Sequence, residues 1–179
     1  MKKTILMVAA VVAASVFASS VKAQETTESV KGKNFVNAGI GIGTFGFNGT
    51  GGLPVVASFE HGFTDKISAG LYVGMVQRKW YDDVKYNYKV IGVRGSYHFN
   101  EELKIKNPKL DVYGGASIYY RGYTAKYENL SGGKEKVTSG GISFALHAAA
   151  RYMVSKNVGV FGELGWGVSP LQIGASFVF

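Results

Sequence analysis

Cysteine is absent from this 179-residue chain. With it go disulfide crosslinks, thiol chemistry and the acylated cysteine of a bacterial lipoprotein. Beyond residue 24 no apolar run approaches the ~18 residues that a membrane-spanning helix needs, which excludes a helical membrane protein. Histidine occurs three times, at His61, His98 and His147. These lie in separate segments without metal-ligand spacing, so neither a metal nor any other cofactor is expected; His61 reads as a turn residue. Gly41-Ile42-Gly43-Thr44-Phe45-Gly46 spells a dinucleotide fingerprint, but it closes a strand and precedes no helix, which the fingerprint requires.

What is present begins with a charged start, Lys2 and Lys3, followed by an apolar and small-residue run from Ile5 to Ala18 and by Val21-Lys22-Ala23 ahead of Gln24. That order is the order of a secretory signal. Residues 1–23 are therefore expected to be removed on export, 24–33 to form a short N-terminal segment and 34–179 to form one folded domain. Export removes nucleic acid from the expected partners. The formal charge of +8 falls when three lysines leave with the signal, and the remaining surplus suits anionic lipid headgroups or plain solvation.

The mature chain alternates apolar and small or polar residues with a period of two, in eight segments separated by Gly, Asn, Asp, Ser and Lys. Val36, Ala38, Ile40 and Ile42 open the series; Leu53 to Glu60, Ile67 to Met75, Ile91 to Phe99, Leu110 to Arg121, Ile142 to Tyr152, Val158 to Trp166 and Leu171 to Phe179 continue it. Pro54 suits a strand start, where a missing donor matters least. Connections near 61–66, 100–108 and 155–157 fall on the side of both chain ends; those near 44–52, 77–87, 122–140 and 167–170 fall on the other side, two of them long. Ser155-Lys156-Asn157 reads as a three-residue hairpin loop with Asn157 in the left-handed conformation.

Period alone does not distinguish a soluble barrel from a membrane one; the composition of the two faces does. A water-facing sheet would be rich in Lys, Glu and Thr, whereas the non-apolar parity here carries Gly39, Gly41, Gly43, Gly70, Gly74, Gly92, Gly115, Gly159 and Gly165. Such small residues suit the narrow lumen of eight strands. On the apolar parity Phe59, Tyr97, Phe99, Tyr152, Phe177 and Phe179 fall at one level, and Tyr120 and Trp166 at the other. Two aromatic girdles at membrane interfaces would produce this sorting. The expected fold is all-β, a closed eight-stranded antiparallel up-and-down transmembrane β-barrel.

The last residues, Gly174-Ala175-Ser176-Phe177-Val178-Phe179, set a glycine and spaced apolar positions before a terminal aromatic, which resembles the assembly signal of bacterial outer-membrane proteins. Ile173 stands where that pattern favours a polar residue. Signal, strands and terminal Phe179 together resemble the small eight-stranded outer-membrane barrel superfamily, of the OmpA transmembrane-domain and OmpX type, over residues 34–179. The resemblance implies insertion in the cell outer membrane, contact with its lipid and lipopolysaccharide, and recognition of the C-terminal strand by the barrel-assembly machinery through Gly174, Phe177 and Phe179. It also implies a monomer with a structural or surface role. An adhesin, or a binder of lipopolysaccharide or a host surface through the outer loops, is the alternative. Lipid A deacylases resemble the chain in size, but their His-x-Ser pair is unmatched, since Phe99-Asn100 follows His98 and Ala148-Ala149 follows His147. No enzymatic role is expected.

Two groups of residues are candidates for function. Glu60, Arg94, Asp111, Arg121, Arg151 and Glu163 all take the inward parity, three acids and three bases whose charges cancel. A hairpin centred near residue 131 would place Asp111 opposite Arg151, while Arg94 and Glu163, on strands that are not neighbours, could meet only across the lumen. With Tyr72, Tyr113, Tyr119, His98 and His147 added, the interior should be filled. In the outer loops Arg78, Lys79, Lys85, Lys126, Lys134 and Lys136 are the basic candidates for anionic partners, interleaved with Asp82, Asp83, Glu128 and Glu135.

Overall fold

The computed structural model describes residues 29–44, 50–80, 84–128 and 134–179; the expected signal segment lies outside them. The strands are β1 (Asn34–Ile42), β2 (Thr50–Gly51), β3 (Val55–Gly62), β4 (Ile67–Trp80), β5 (Val84–His98), β6 (Leu110–Glu128), β7 (Lys134–Met153), β8 (Val158–Gly165) and β9 (Leu171–Val178). From β3 to β9 each pairs antiparallel with the next, and β1 pairs with both β3 and β9. The two residues of β2 pair with Arg78 and Lys79 of β4. They prolong the position of β3 past an interruption at 52–54, where Pro54 offers no ladder donor. The result is the expected closed antiparallel barrel with eight positions in its wall.

Closure depends on the seam between the first and last strands, because an open edge would leave unpaired donors and acceptors in lipid. Partners run from Phe35 with Val178 to Ile42 with Leu171. Asn34 and Phe179 then exchange both backbone hydrogen bonds, at 2.6 and 3.0 Å. Gly174 lies inside this seam. A Cβ on it would meet the Ala38 carbonyl oxygen at 2.2 Å and the Gly39 Cα at 2.5 Å, so the strands approach as closely as they do only because it has no side chain.

Burial is inside out. Ile91, Ile142, Phe144 and Trp166 are 62, 72, 75 and 61 % exposed on the outer wall, while Asn37, Glu60, Arg94, Asp111, Arg151 and Glu163 are buried in the interior. Water would oppose that arrangement and a hydrocarbon environment favours it. Phe161, which departs from the polarity of its strand in the sequence, points inward and is 5 % exposed.

Three expectations are corrected. The long outer loops at 77–87 and 122–140 are largely strand, since β4 and β5 pair up to Trp80 and Val84, and β6 and β7 up to Glu128 and Lys134. Their alternation is inverted: the outward positions carry Gln77, Lys79, Lys85 and Lys126, and the inward ones carry buried Val76, Tyr86, Tyr88 and Ala125. This is the sign expected once the wall rises out of lipid into water, and a search for one constant apolar parity misses it. Asn157 is not left-handed; among the described residues the positive-φ residue other than glycine is Lys104. Asn157 instead pairs with the last strand, its carbonyl accepting from Val178 N–H at 2.9 Å and its Nδ2 donating to the Val178 carbonyl at 2.8 Å. His61 belongs to β3 rather than a turn, with Nδ1 2.9 Å from Asn34 Oδ1.

Candidate functional site

The interior is built by the inward parity of every strand. The β6–β7 register pairs Asp111 with Arg151, and Arg151 Nη1 donates to Asp111 Oδ2 at 2.7 Å. The guanidinium lies over the rings of Phe35 and Tyr113, 4.5 and 4.8 Å from their centroids, where ring quadrupoles add to its stabilisation. Its Nη2 reaches Asn37 Oδ1 at 3.4 Å. Asn37 also accepts from Ser176 Oγ at 2.7 Å and donates through Nδ2 to Ser58 and Tyr113, each at 3.3 Å. One amide from β1 thus joins four other strands.

A second centre spans the lumen. Arg94 Nη2 is 2.9 Å from Glu163 Oε2, and Arg94 Nε is 3.0 Å from Glu60 Oε1, so one guanidinium bridges carboxylates from β3 and β8. The two centres are linked through Ser68 and His98. Ser68 Oγ donates to Glu60 Oε2 at 2.9 Å and stands 3.0 Å from His98 Nε2, while His98 Nδ1 is 2.8 Å from Asp111 Oδ1. The order serine, histidine, aspartate is that of a hydrolytic triad. Here, however, Ser68 is 1 % exposed and its hydroxyl proton is directed to a carboxylate, not to the imidazole. Each buried charge has opposite charge and hydrogen-bond partners, the condition under which ions persist in a low-dielectric interior.

Five of the six residues expected in the charge network are in it. Arg121 is not. It keeps the inward parity, opposite Val90 and Gly141, but is exposed beside Tyr88 and Tyr119 above the packed interior. Parity fixes a face and says nothing of height, and the β7 partner of Arg121, Gly141, lies beyond His147, where the pairing of β7 with β8 ends. Tyr72, Tyr113, Tyr119, His98 and His147 fill the lumen as expected. Sequence reasoning missed Asn37, Ser68 and Gln172 as linking groups; their inward parity was visible, but their partners lie on distant strands. Around Asn37, Ser58, Tyr72, Arg94, Glu163 and Gln172 no space for a water molecule remains. A recess of about 820 Å³ lies on the outer wall, where Ala69, Gly95 and Ala116 form a hollow between Leu71, Phe144 and Trp166.

At the end that carries both chain ends, Lys66 in the β3–β4 turn contacts Glu101 at 2.8 Å and Glu102 at 2.7 Å. The Lys66 hydrogen bond, with a second from Tyr97, holds the Glu102 carboxyl down at about 2. At the opposite end β4 to β7 rise above the remaining wall as a four-stranded extension. Lys79, Lys85, Lys126 and Lys136 are exposed there. Arg78 departs from the expected group: it sits on the inner parity, opposite Tyr86, and is half-buried. Lys134 is the cross-strand partner of Glu128. Asp82 and Asp83 lie outside the described residues.

No protein-family model and no curated protein matches the sequence. Solved structures do match. The outer membrane protein OprG from Pseudomonas aeruginosa superposes with a TM-score of 0.56 at 12% identity, covering 86% of this chain and 99% of its own. Ail, the attachment invasion locus protein of Yersinia pestis, gives 0.53 at 12% identity, covering 83% and 99%. The N-terminal β-barrel domain of OprF from Pseudomonas aeruginosa gives 0.53 at 13% identity, covering 83% and 98%. At such identities the likeness is one of fold: the chain has the architecture of a small eight-stranded outer-membrane β-barrel.

Proposed function

We propose that the protein resides as a monomer in the bacterial outer membrane, as a barrel closed to solutes, and that its role is to hold a surface extension above the membrane. The observation that carries this reading is the contrast between an apolar outer wall and an interior in which Arg94 pairs with Glu60 and Glu163, Arg151 pairs with Asp111, and no space for water remains around Arg94 and Glu163. A general pore would need the opposite, a hydrated lumen with unpaired charges at its wall. The end bearing Asn34 and Phe179 faces the periplasm, and the β4–β7 extension faces outside. The barrel-assembly machinery takes the chain by β9, through Gly174, Phe177 and Phe179. The extension favours a surface-binding or adhesive role over a purely structural one, because nearly all the strand length in excess of a membrane span is concentrated in it. A lipid A-modifying activity has no motif behind it.

Planar-bilayer recording tests the closed interior. Pure protein should give no stable open state that passes small sugars, and a steady large conductance would reject the proposal. Trypsin treatment of intact cells tests the orientation: cleavage should fall within 79–85 or 126–136, at the tips of the β4–β5 and β6–β7 hairpins, and spare the 100–109 turn.

A further inference from the structure

The register of the extension aligns four lysines from four adjacent strands. Lys79 is the cross-strand partner of Lys85, Lys85 of Lys126, and Lys126 of Lys136. Directly opposed residues share a face. With strands ~4.8 Å apart, the four ammonium groups mark a row roughly 14 Å long. Like charges directly opposite one another destabilise a sheet, and here that arrangement occurs three times in succession. None of the four forms an ion pair among the described residues. The next row towards the membrane, Gln77, Asn87, Thr124 and Thr138, has no acid; in the row beyond, the backbone register sets Glu128 against Lys134.

The direction of the row narrows its partner. It has the parity of Val73, Ile91, Tyr120 and Ile142, the set that faces lipid, so it looks sideways over the membrane instead of up into the medium. It is six residues beyond that set, ~20 Å along the strand, or roughly 15 Å in height at a tilt of 35–45°. Phospholipid headgroups extend only ~5–8 Å beyond the hydrocarbon. A lipid of the same leaflet meets the row only if it carries phosphates on a saccharide that stands above the headgroup level. We infer that Lys79, Lys85, Lys126 and Lys136 form a binding stripe for the phosphorylated saccharide of neighbouring lipopolysaccharide. This rests on the outer-membrane placement proposed above.

The test uses the folded protein in non-ionic detergent, titrated with fluorescent lipopolysaccharide, with the same material dephosphorylated, and with a sulfated polysaccharide. Wild type is compared with a variant carrying Lys79→Gln, Lys85→Gln, Lys126→Gln and Lys136→Gln and with one carrying Arg at the same four positions; heat-modifiable gel mobility verifies folding. The inference expects affinity to fall at least about tenfold in the Gln variant, as loss of several surface cations should cause, to persist in the Arg variant, and to fall for the dephosphorylated ligand. Undiminished binding by the folded Gln variant, or indifference to dephosphorylation, would overturn it, and so would tighter binding of the sulfated polysaccharide. Fractionation of cells is read separately: recovery outside the outer membrane defeats the placement, while loss of discrimination in micelles defeats the stripe alone.

Discussion

Replacing Arg151 with Met, which keeps most of the volume and removes the charge, should cost stability mainly through the acid it leaves behind. At 2.7 Å the attraction between Arg151 and Asp111 is on the order of 6 kcal/mol for an effective dielectric near 20. Desolvation of two ions offsets most of that, so the intact pair contributes little net stability. Removing one partner leaves the desolvation of the other uncompensated, typically ~3–5 kcal/mol. Asp111 keeps hydrogen bonds from His98 and Asn100, which places the expected loss towards the lower end, near 3 kcal/mol. The double replacement Arg151→Met with Asp111→Asn removes both charges and should recover to within about 1–2 kcal/mol of wild type. Arg94→Met should exceed Arg151→Met, because it strands two carboxylates, Glu60 and Glu163. Reversible urea unfolding in lipid vesicles, followed by tryptophan fluorescence, measures these three variants and the Asp111→Asn single against wild type. A loss under about 1 kcal/mol for Arg151→Met, or a double variant that costs the sum of the singles, would refute the reasoning.

Deleting Phe179 removes both hydrogen bonds to Asn34, and Gly174→Val forces a side chain against the Ala38 carbonyl; each should lower the fraction of heat-modifiable folded barrel in cells, and full folding of both would refute the seam argument. Glu102, held at about 2 by Lys66 and then Tyr97, has a folded pKa below its unfolded value of ~4.3. Its contribution is therefore present above that value and is lost as pH falls through about 2. Carbon-13 NMR of the Glu102 carboxyl should show the low midpoint, and Lys66→Met should return it towards ~4.3.

Much of the architecture was legible along the chain. Period-two alternation located all eight wall positions because a sheet in lipid must separate its faces at every second residue. The parity of Asp111 and Arg151, with a hairpin centre near 131, also predicted their pairing, which the register bears out. Legibility failed where the solvent changes. Above the membrane the apolar parity turns inward at Val76, Tyr86, Tyr88 and Ala125, so a rule written for lipid read strand as loop between 77 and 87 and between 122 and 140.

Sequence by itself determined which side chains face inward, since that follows from an alternation every strand carries locally. Beyond the Asp111–Arg151 pair, only the closed barrel decided which of them meet. Arg94 finds Glu163 and Glu60, Asn37 finds Ser176 and Tyr113, and Arg121 finds no place in the network, because these outcomes depend on height and on position around the circumference. Height is set by strand stagger, and circumferential distance by closure of β1 on β9. The lysine row has the same origin: four residues spread from 79 to 136 become neighbours through the pairing of four strands, a relation with no counterpart in local sequence.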